Sequence, residues 1–157
     1  MTVSSLMNTN PITVTLEDTF GGALDILLKH RVRSLPVLDS NGIYRGMFDL
    51  YDLWELLLPR AALLEGKRIA DLAYMPGSEE MLREKLGNAQ ARSIVEFLDD
   101  QESPAIYSDT TVIEAILLLH RRGGNLPVVE RQTRKLVGIV TPWEILSQVQ
   151  TGKDTAH

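Results

Sequence analysis

The feature that most constrains this chain is that it states one pattern twice. Leu35-Pro36-Val37-Leu38 is followed by Gly46-Met47-Phe48-Asp49-Leu50-Tyr51-Asp52, and Leu126-Pro127-Val128-Val129 by Gly138-Ile139-Val140-Thr141-Pro142-Trp143-Glu144. In each copy an apolar run led by Leu-Pro-Val reads as a strand and a polar turn follows. A second strand then opens on glycine and runs into a helix that carries an acid. The equivalent prolines lie 127 − 36 = 91 residues apart and the equivalent glycines 138 − 46 = 92 apart. This is an internal duplication by pattern rather than by close identity.

The repeat extends upstream. Phe20, Ala23, Leu24 and Leu27 fall at i, i+3, i+4 and i+7, and Val112, Ala115, Ile116 and Leu119 fall at the same spacing, so each copy holds an amphipathic helix. Glu17-Asp18-Thr19 and Asp109-Thr110-Thr111 supply N-terminal caps. Before these lie short extended runs, Pro11-Ile12-Thr13-Val14 and Pro104-Ala105-Ile106-Tyr107. The unit reads strand, helix, strand, turn, strand, helix, an α+β pattern. Each half is too small to bury a sizeable core alone within 157 residues, so a shared core is expected.

An apolar-Pro-Val strand followed by Gly-x-x-hydroxyl-x-x-acid at a helix start, in tandem, resembles a pair of cystathionine-beta-synthase (CBS) domains, the Bateman regulatory module. The resemblance covers roughly residues 1–58 and 90–150, most of the chain. It implies a fold of two pseudo-symmetric β-α-β-β-α units packed sheet to sheet around a pseudo-two-fold axis. The expected organisation is a first unit over 1–58, a helical connector over 59–89, a second unit over 90–150 and a frayed tail over 151–157. Val3 to Met7 matches the short helical lead-in before the family's first strand.

Composition narrows the functional classes. A net charge of −5 with interspersed signs, no basic stripe and no RNA-type aromatic signature argue against nucleic acid. Arg31-x-Arg33 and Arg121-Arg122 read as solvated helix ends. Without cysteine there is no disulfide framework or thiolate chemistry, which fits a reducing compartment. No secretory signal is read at the N-terminus and no apolar run approaches a membrane span, so a cytoplasmic protein without membrane insertion is expected. No metalloenzyme spacing or nucleophile–base set is present, so no catalytic role is expected. His30 and His120 read as cations at equivalent helix ends rather than metal ligands.

Along the chain, helix 18–30 precedes the first Leu-Pro-Val strand, and Asp39-Ser40-Asn41-Gly42 is a strong turn signal. Its hairpin partner spans Ile43 to Phe48, and a helix follows from Leu50 to Leu58, where Pro59 stops it. In the connector, Ala61 to Leu64 begins another helix, and Met75-Pro76-Gly77 is a loop. Ser78 caps a helix to about Leu86 that Gly87 ends, and Asn88 caps a further helix with Ala91, Ile94, Val95 and Leu98 on one stripe.

Chemistry is sought at the strand-to-helix junctions, where helix N-termini favour anions. In CBS modules the junction hydroxyl contacts phosphate, the acid accepts from ribose hydroxyls, and adenine slides between apolar strand residues. Carried over by position, this implies Ile106, Leu126, Pro127 and Val128 as walls, with Thr141 and Glu144 as polar anchors. In the first copy it implies Ile12, Leu35, Pro36 and Val37, with Asp49 and Asp52. The first copy places Asp49 where the hydroxyl belongs, and two like charges about 4 Å apart repel by about 1 kcal/mol in water and about 4 at a dielectric near 20. An anion is disfavoured there unless Arg33, Arg45 or a metal compensates, so that site is empty or takes a neutral nucleoside. The second keeps Thr141 but carries Glu144, one methylene longer than aspartate. Thr141, Asp49 and Asp52 are equally suited to capping their helices.

The resemblance implies a regulatory module that binds an adenine nucleotide or nucleoside, with AMP, ADP, ATP or S-adenosylmethionine as regulatory ligand and no required cofactor. It would signal to a partner enzyme or transporter and homodimerise through Leu53-Trp54-x-x-Leu57 and Ile145-Leu146-x-x-Val149. The alternative is a constitutive dimerisation or interaction module without nucleotide.

Overall fold

The computed structural model describes residues 1–64, 66, 68–74, 77–98 and 105–152. The loop at Met75-Pro76, the proline opening Pro104-Ala105-Ile106-Tyr107 and the tail 153–157 lie outside the described residues. The first half comprises β1 (Val14–Thr15), α1 (Phe20–His30), β2 (Ser34–Leu38), β3 (Tyr44–Asp49) and α2 (Asp52–Leu57). After α3 (Glu79–Ala89), the second half repeats it as β4 (Ile106–Tyr107), α4 (Val112–Arg122), β5 (Leu126–Val129), β6 (Leu136–Val140) and α5 (Pro142–Thr151). Each half forms a three-stranded sheet in which the first strand runs parallel and the third antiparallel to the second.

The capping residues act as expected. Thr19 Oγ1 accepts the Gly22 N–H, and Thr111 forms a reciprocal capping box with Glu114. Asp39 closes the first hairpin by accepting the Asn41 and Ile43 N–H groups at 2.9 and 3.0 Å, with Gly42 at φ +79°. Its counterpart in the second hairpin is Arg134, which holds φ +63° without the freedom of glycine.

Period-two alternation sorts the strand residues. Leu35, Val37 and Phe48 pack with Phe20, Ala23 and Leu27 in one helix-side core, and Leu126, Val128 and Val140 pack with Val112, Ala115 and Ile145 in the other. Pro36, Met47, Pro127, Val129 and Ile139 are buried on the opposite faces, toward the other sheet. The sheets are joined at symmetric points. Tyr44 N–H donates to Arg134 C=O (3.1 Å) and Leu136 N–H to Gly42 C=O (3.2 Å), flanking a bridge between Ile43 and Lys135. Asn125 Nδ2 donates to Ser34 Oγ at 2.9 Å, across positions 91 apart. A pseudo-two-fold axis therefore runs between the halves.

The lead-ins are exchanged across this axis. The 3-10 turn Val3–Ser5 precedes the first half, yet Val3 and Leu6 are buried in the second half's core. Its counterpart, the 3-10 turn Ile94–Phe97, places Ile94 in the first half's core. The hydrogen bonds match in pairs: Val3 N–H to Thr110 C=O (2.9 Å) and Ile94 N–H to Asp18 C=O (3.0 Å), Val112 N–H to Met1 C=O (3.1 Å) and Phe20 N–H to Arg92 C=O (2.9 Å).

The connector differs from expectation. α3 begins at the Ser78 cap, but continues through Gly87 and Asn88 to Ala89, because its packing beside α2 outweighs the modest cost of one helical glycine. The further helix is only the turn Ile94–Phe97, capped by Ser93. Residues 94–98 are drawn into the first half's core at Ile94, which fixes an irregular path and leaves Val95 exposed. Arg60–Leu63 is likewise a 3-10 turn, and Thr151 is the last residue of α5 rather than frayed.

Two outcomes are expected. Ile94→Ala, by opening a cavity beside α1, lowers stability by about 2–5 kcal/mol in urea denaturation, and far-UV and tryptophan signals report one shared transition. Hydrogen bonds from the Thr111 N–H and hydroxyl hold the Glu114 carboxyl below its ordinary value of 4.5. A lowered acid stabilises above its unfolded value and the gain is lost as pH falls through its folded value. Below about pH 4.5 the wild type therefore loses stability more steeply than Glu114→Gln.

Candidate functional site

Two clefts open at symmetry-related places. One is lined by Asp52, Glu55, Glu96, Phe97 and Leu98, and has a volume of about 360 Å³. The other is lined by Asn8, Thr9, Asn10 and Glu144, about 370 Å³. Each sets the junction acid of one half, Asp52 or Glu144, against the lead-in of the other half. The exchange that interlocks the fold thus also builds both clefts, and both volumes fall within the range of small-molecule sites.

At the second junction Thr141 is the N-cap of α5, with Pro142 at the first helical position. Its hydroxyl accepts the Trp143 N–H at 3.2 Å and donates to the Glu144 carboxylate, which also accepts the Thr141 N–H at 2.8 Å. Both expected anchors are therefore joined in one capping box. One carboxylate oxygen of Glu144, Oε2, carries these bonds.

At the first junction Asp49 accepts the Tyr51 N–H at 2.9 Å, the counterpart of the Thr141 cap. Arg33 Nε stands 3.7 Å from Asp49 Oδ1, too far for a hydrogen bond, and the guanidinium lies 4.0 Å over the Tyr51 ring. Arg33 Nε is buried and makes no hydrogen bond among the described residues. Arg45 is directed elsewhere, donating to Asp39 at 2.8 and 3.0 Å. Burial works to raise the Asp39 pKa, but the Ile43 and Asn41 N–H groups and Arg45 together hold it below the usual carboxylate value. Of the two arginines expected to offset Asp49, only Arg33 is beside it. No group of three or more potential ligands capable of holding a metal occurs among the described residues.

The apolar residues expected as walls divide by face. Ile106, Leu126 and Val128 point into the second helix-side core, and Leu35 and Val37 into the first. Pro36 and Pro127 alone of the two Leu-Pro-Val triplets face the other sheet. Ile12 lies before β1 and is 36% exposed. Asn8, Thr9 and Asn10 were not singled out from sequence. Their signal is Asn-Thr-Asn-Pro ahead of a short strand, which reads as an ordinary turn.

On α2, Leu53 is buried and Trp54 is 47% exposed; on α5, Ile145 is buried while Leu146 and Val149 are exposed. Ile113, Ile116 and Leu117 of α4 extend the exposed apolar surface beside α5. No helix among the described residues is long and apolar enough to cross a membrane.

A family model described as the CBS domain matches residues 3–53 and 96–151. A CBS domain-containing protein of Dictyostelium discoideum is 28% identical over 146 residues, 92% of this chain and 88% of that protein. Among solved structures, the CBS-pair protein CBSX2 from Arabidopsis thaliana has a TM-score of 0.75 at 22% identity, covering 99% of this chain and 98% of that one. A structure of CBSX2 in complex with AMP has a TM-score of 0.69 at 21% identity, covering 97% and 98%. The CBS domain pair of protein MJ0100, in complex with 5′-methylthioadenosine and S-adenosyl-L-methionine, has a TM-score of 0.66 at 21% identity, covering 98% of each chain.

Thr141→Val removes the hydroxyl from the capping box while keeping its volume. Without ligand it is expected to lower stability by about 1 kcal/mol, measured by chemical denaturation.

Proposed function

Because the chain belongs to the CBS domain family, we propose that it is a regulatory module that binds an adenosine-containing ligand in a cleft between its halves and signals to a partner protein. The observation that carries this reading is the construction of both clefts. Each combines a junction acid from one half with the lead-in of the other, so a ligand bridging them bears on how the halves sit together. That related pairs have been crystallised with AMP, and with S-adenosyl-L-methionine and 5′-methylthioadenosine, supports the adenosine class. AMP, ADP, ATP and S-adenosylmethionine are the regulatory ligands proposed; no cofactor is invoked.

The second cleft is the preferred site. Its lead-in side carries neutral amides and a hydroxyl, whereas the first cleft is lined by Asp52, Glu55 and Glu96, with Asp49 at the same junction. In this reading Glu144 accepts from the ribose through its second carboxylate oxygen and Pro127 borders the base. Thr141 serves the phosphate only if phosphate takes the hydroxyl proton that Glu144 now accepts. A neutral nucleoside leaves the capping box intact. The first cleft, with Asp52 in its lining and Asp49 at the same junction, takes a neutral nucleoside or stays empty. Absence of cysteine supports a reducing, cytoplasmic setting, and the acidic balance supports a protein or small-molecule partner rather than nucleic acid.

A second reading, a constitutive dimerisation module without nucleotide, is favoured by one observation. Trp143 is 77% exposed, and Leu146 and Val149 continue this apolar face along α5. The proposed homodimer uses α2 and α5 in either reading.

A thermal-shift panel of AMP, ADP, ATP, S-adenosylmethionine, NAD and adenosine, with GTP as control, separates the readings. A ligand at a hundred times its dissociation constant stabilises by about 2.7 kcal/mol, which moves the midpoint by roughly 5–10 °C for a chain of this size. The expected result is a shift with adenine compounds and none with GTP. An unmoved midpoint with every compound at millimolar concentration would leave the ligand-free module as the better account.

A further inference from the structure

We propose that Asn10 selects the base, reading the N6-amino and N7 edge of adenine at the second cleft. The inference rests on the ligand reading above and adds to it a residue that discriminates 6-aminopurines from 6-oxopurines.

Three observations converge on Asn10. It lines the second cleft together with Asn8, Thr9 and Glu144. The segment holding it is fixed from both sides. Asn8 exchanges both backbone hydrogen bonds with Ile139, each 2.9 Å, and its carboxamide oxygen accepts the Asn10 N–H at 2.9 Å. On the other side Pro11 confines Asn10 to extended backbone geometry. The close approach to β6 is itself specified: a Cβ at Gly138 would meet Asn8 C=O and Met7 Sδ at 2.9 Å each. Finally, the two carboxamides are in different states. That of Asn8 is committed to the turn, whereas that of Asn10 makes no hydrogen bond among the described residues.

The cleft therefore presents an uncommitted donor–acceptor pair on a constrained backbone, with the ribose-type acid also in its lining. A nucleoside anchored by its sugar at Glu144 extends its base toward the lead-in. A carboxamide matches adenine there in both directions, with Oδ1 accepting from N6–H and Nδ2 donating to N7. The same edge of guanine offers two acceptors, O6 and N7, so the carboxamide oxygen faces an acceptor and one hydrogen bond is lost. Asn8 acts differently, as a positioning residue that sets the turn.

The test uses adenosine, guanosine and 7-deazaadenosine, which lacks only the N7 acceptor, in calorimetric titrations of the full chain. Wild type is expected to bind adenosine about tenfold or more tightly than either analogue, the discrimination of a good bidentate pair. In Asn10→Ala that preference collapses toward unity while the thermal midpoint without ligand is unchanged, since the side chain is exposed and supports nothing. Asn8→Ala weakens adenosine and 7-deazaadenosine alike and keeps their ratio above that of Asn10→Ala. Wild type binding adenosine and 7-deazaadenosine equally, or Asn10→Ala retaining the preference, overturns the role of Asn10 and leaves the adenosine reading standing. Wild type binding none of the three overturns the role of Asn10, and overturns the adenosine reading as well where AMP, ADP, ATP and S-adenosylmethionine also leave the thermal midpoint unmoved.

Discussion

The structure depends on the reciprocal exchange of its lead-ins. Neither half completes its own core: Val3 and Leu6 fill the second, and Ile94 fills the first. The matching backbone bonds at Val3, Val112, Phe20 and Ile94 remove polar groups from water in pairs, so the exchange carries no unsatisfied backbone cost at those positions. Separating the halves would expose apolar side chains and break these bonds together. This explains how two units, each small for independent folding, form one stable body. It also places the clefts, because the chain must pass from each exchanged lead-in back to its own first strand, beside the opposite junction.

Local signals were legible from sequence because they act over three or four residues. Thr19, Thr111 and Ser78 cap where their neighbours predict, Asp39 closes its turn, and the i, i+3, i+4, i+7 stripe becomes the inward face of α1, whereas on α4 Val112 and Ala115 are buried but Ile116 is exposed. The exchange was not legible. Val3 and Leu6 are too few to show a period, and nothing local indicates that their partners lie more than a hundred residues away. The connector erred for a related reason: Gly87 is a weak stop signal overridden by packing, while Ile94 is captured by a distant core.

At the site, the junction acids stood out because the duplication marked them, and the clefts do lie at Asp52 and Glu144. The family resemblance implies each apolar triplet as a wall, whereas strand alternation turns only the proline of each toward the opposite sheet. Asn8 to Asn10 carried no chemical signature of their own. Their importance comes from being brought beside Glu144 by the Asn8–Ile139 pairing, a contact between residues far apart in sequence.

The exchanged arrangement has a consequence for how such a chain can arise. It is the geometry two identical single units would adopt by lending each other their lead-ins about a true two-fold axis. Joining them through α3 and its flanking turns converts that encounter into an intramolecular one, with an effective concentration set by the linker instead of by the amount of protein. Once joined, the halves no longer need to be identical. Arg134 stands at the position that Gly42 holds in the first half, and Thr141, bonded to Glu144, stands where the first half has Asp49 beside Arg33. Covalent linkage frees each exposed surface to diverge, while the exchanged core residues Val3, Leu6 and Ile94 and the backbone hydrogen bonds between the halves keep the axis.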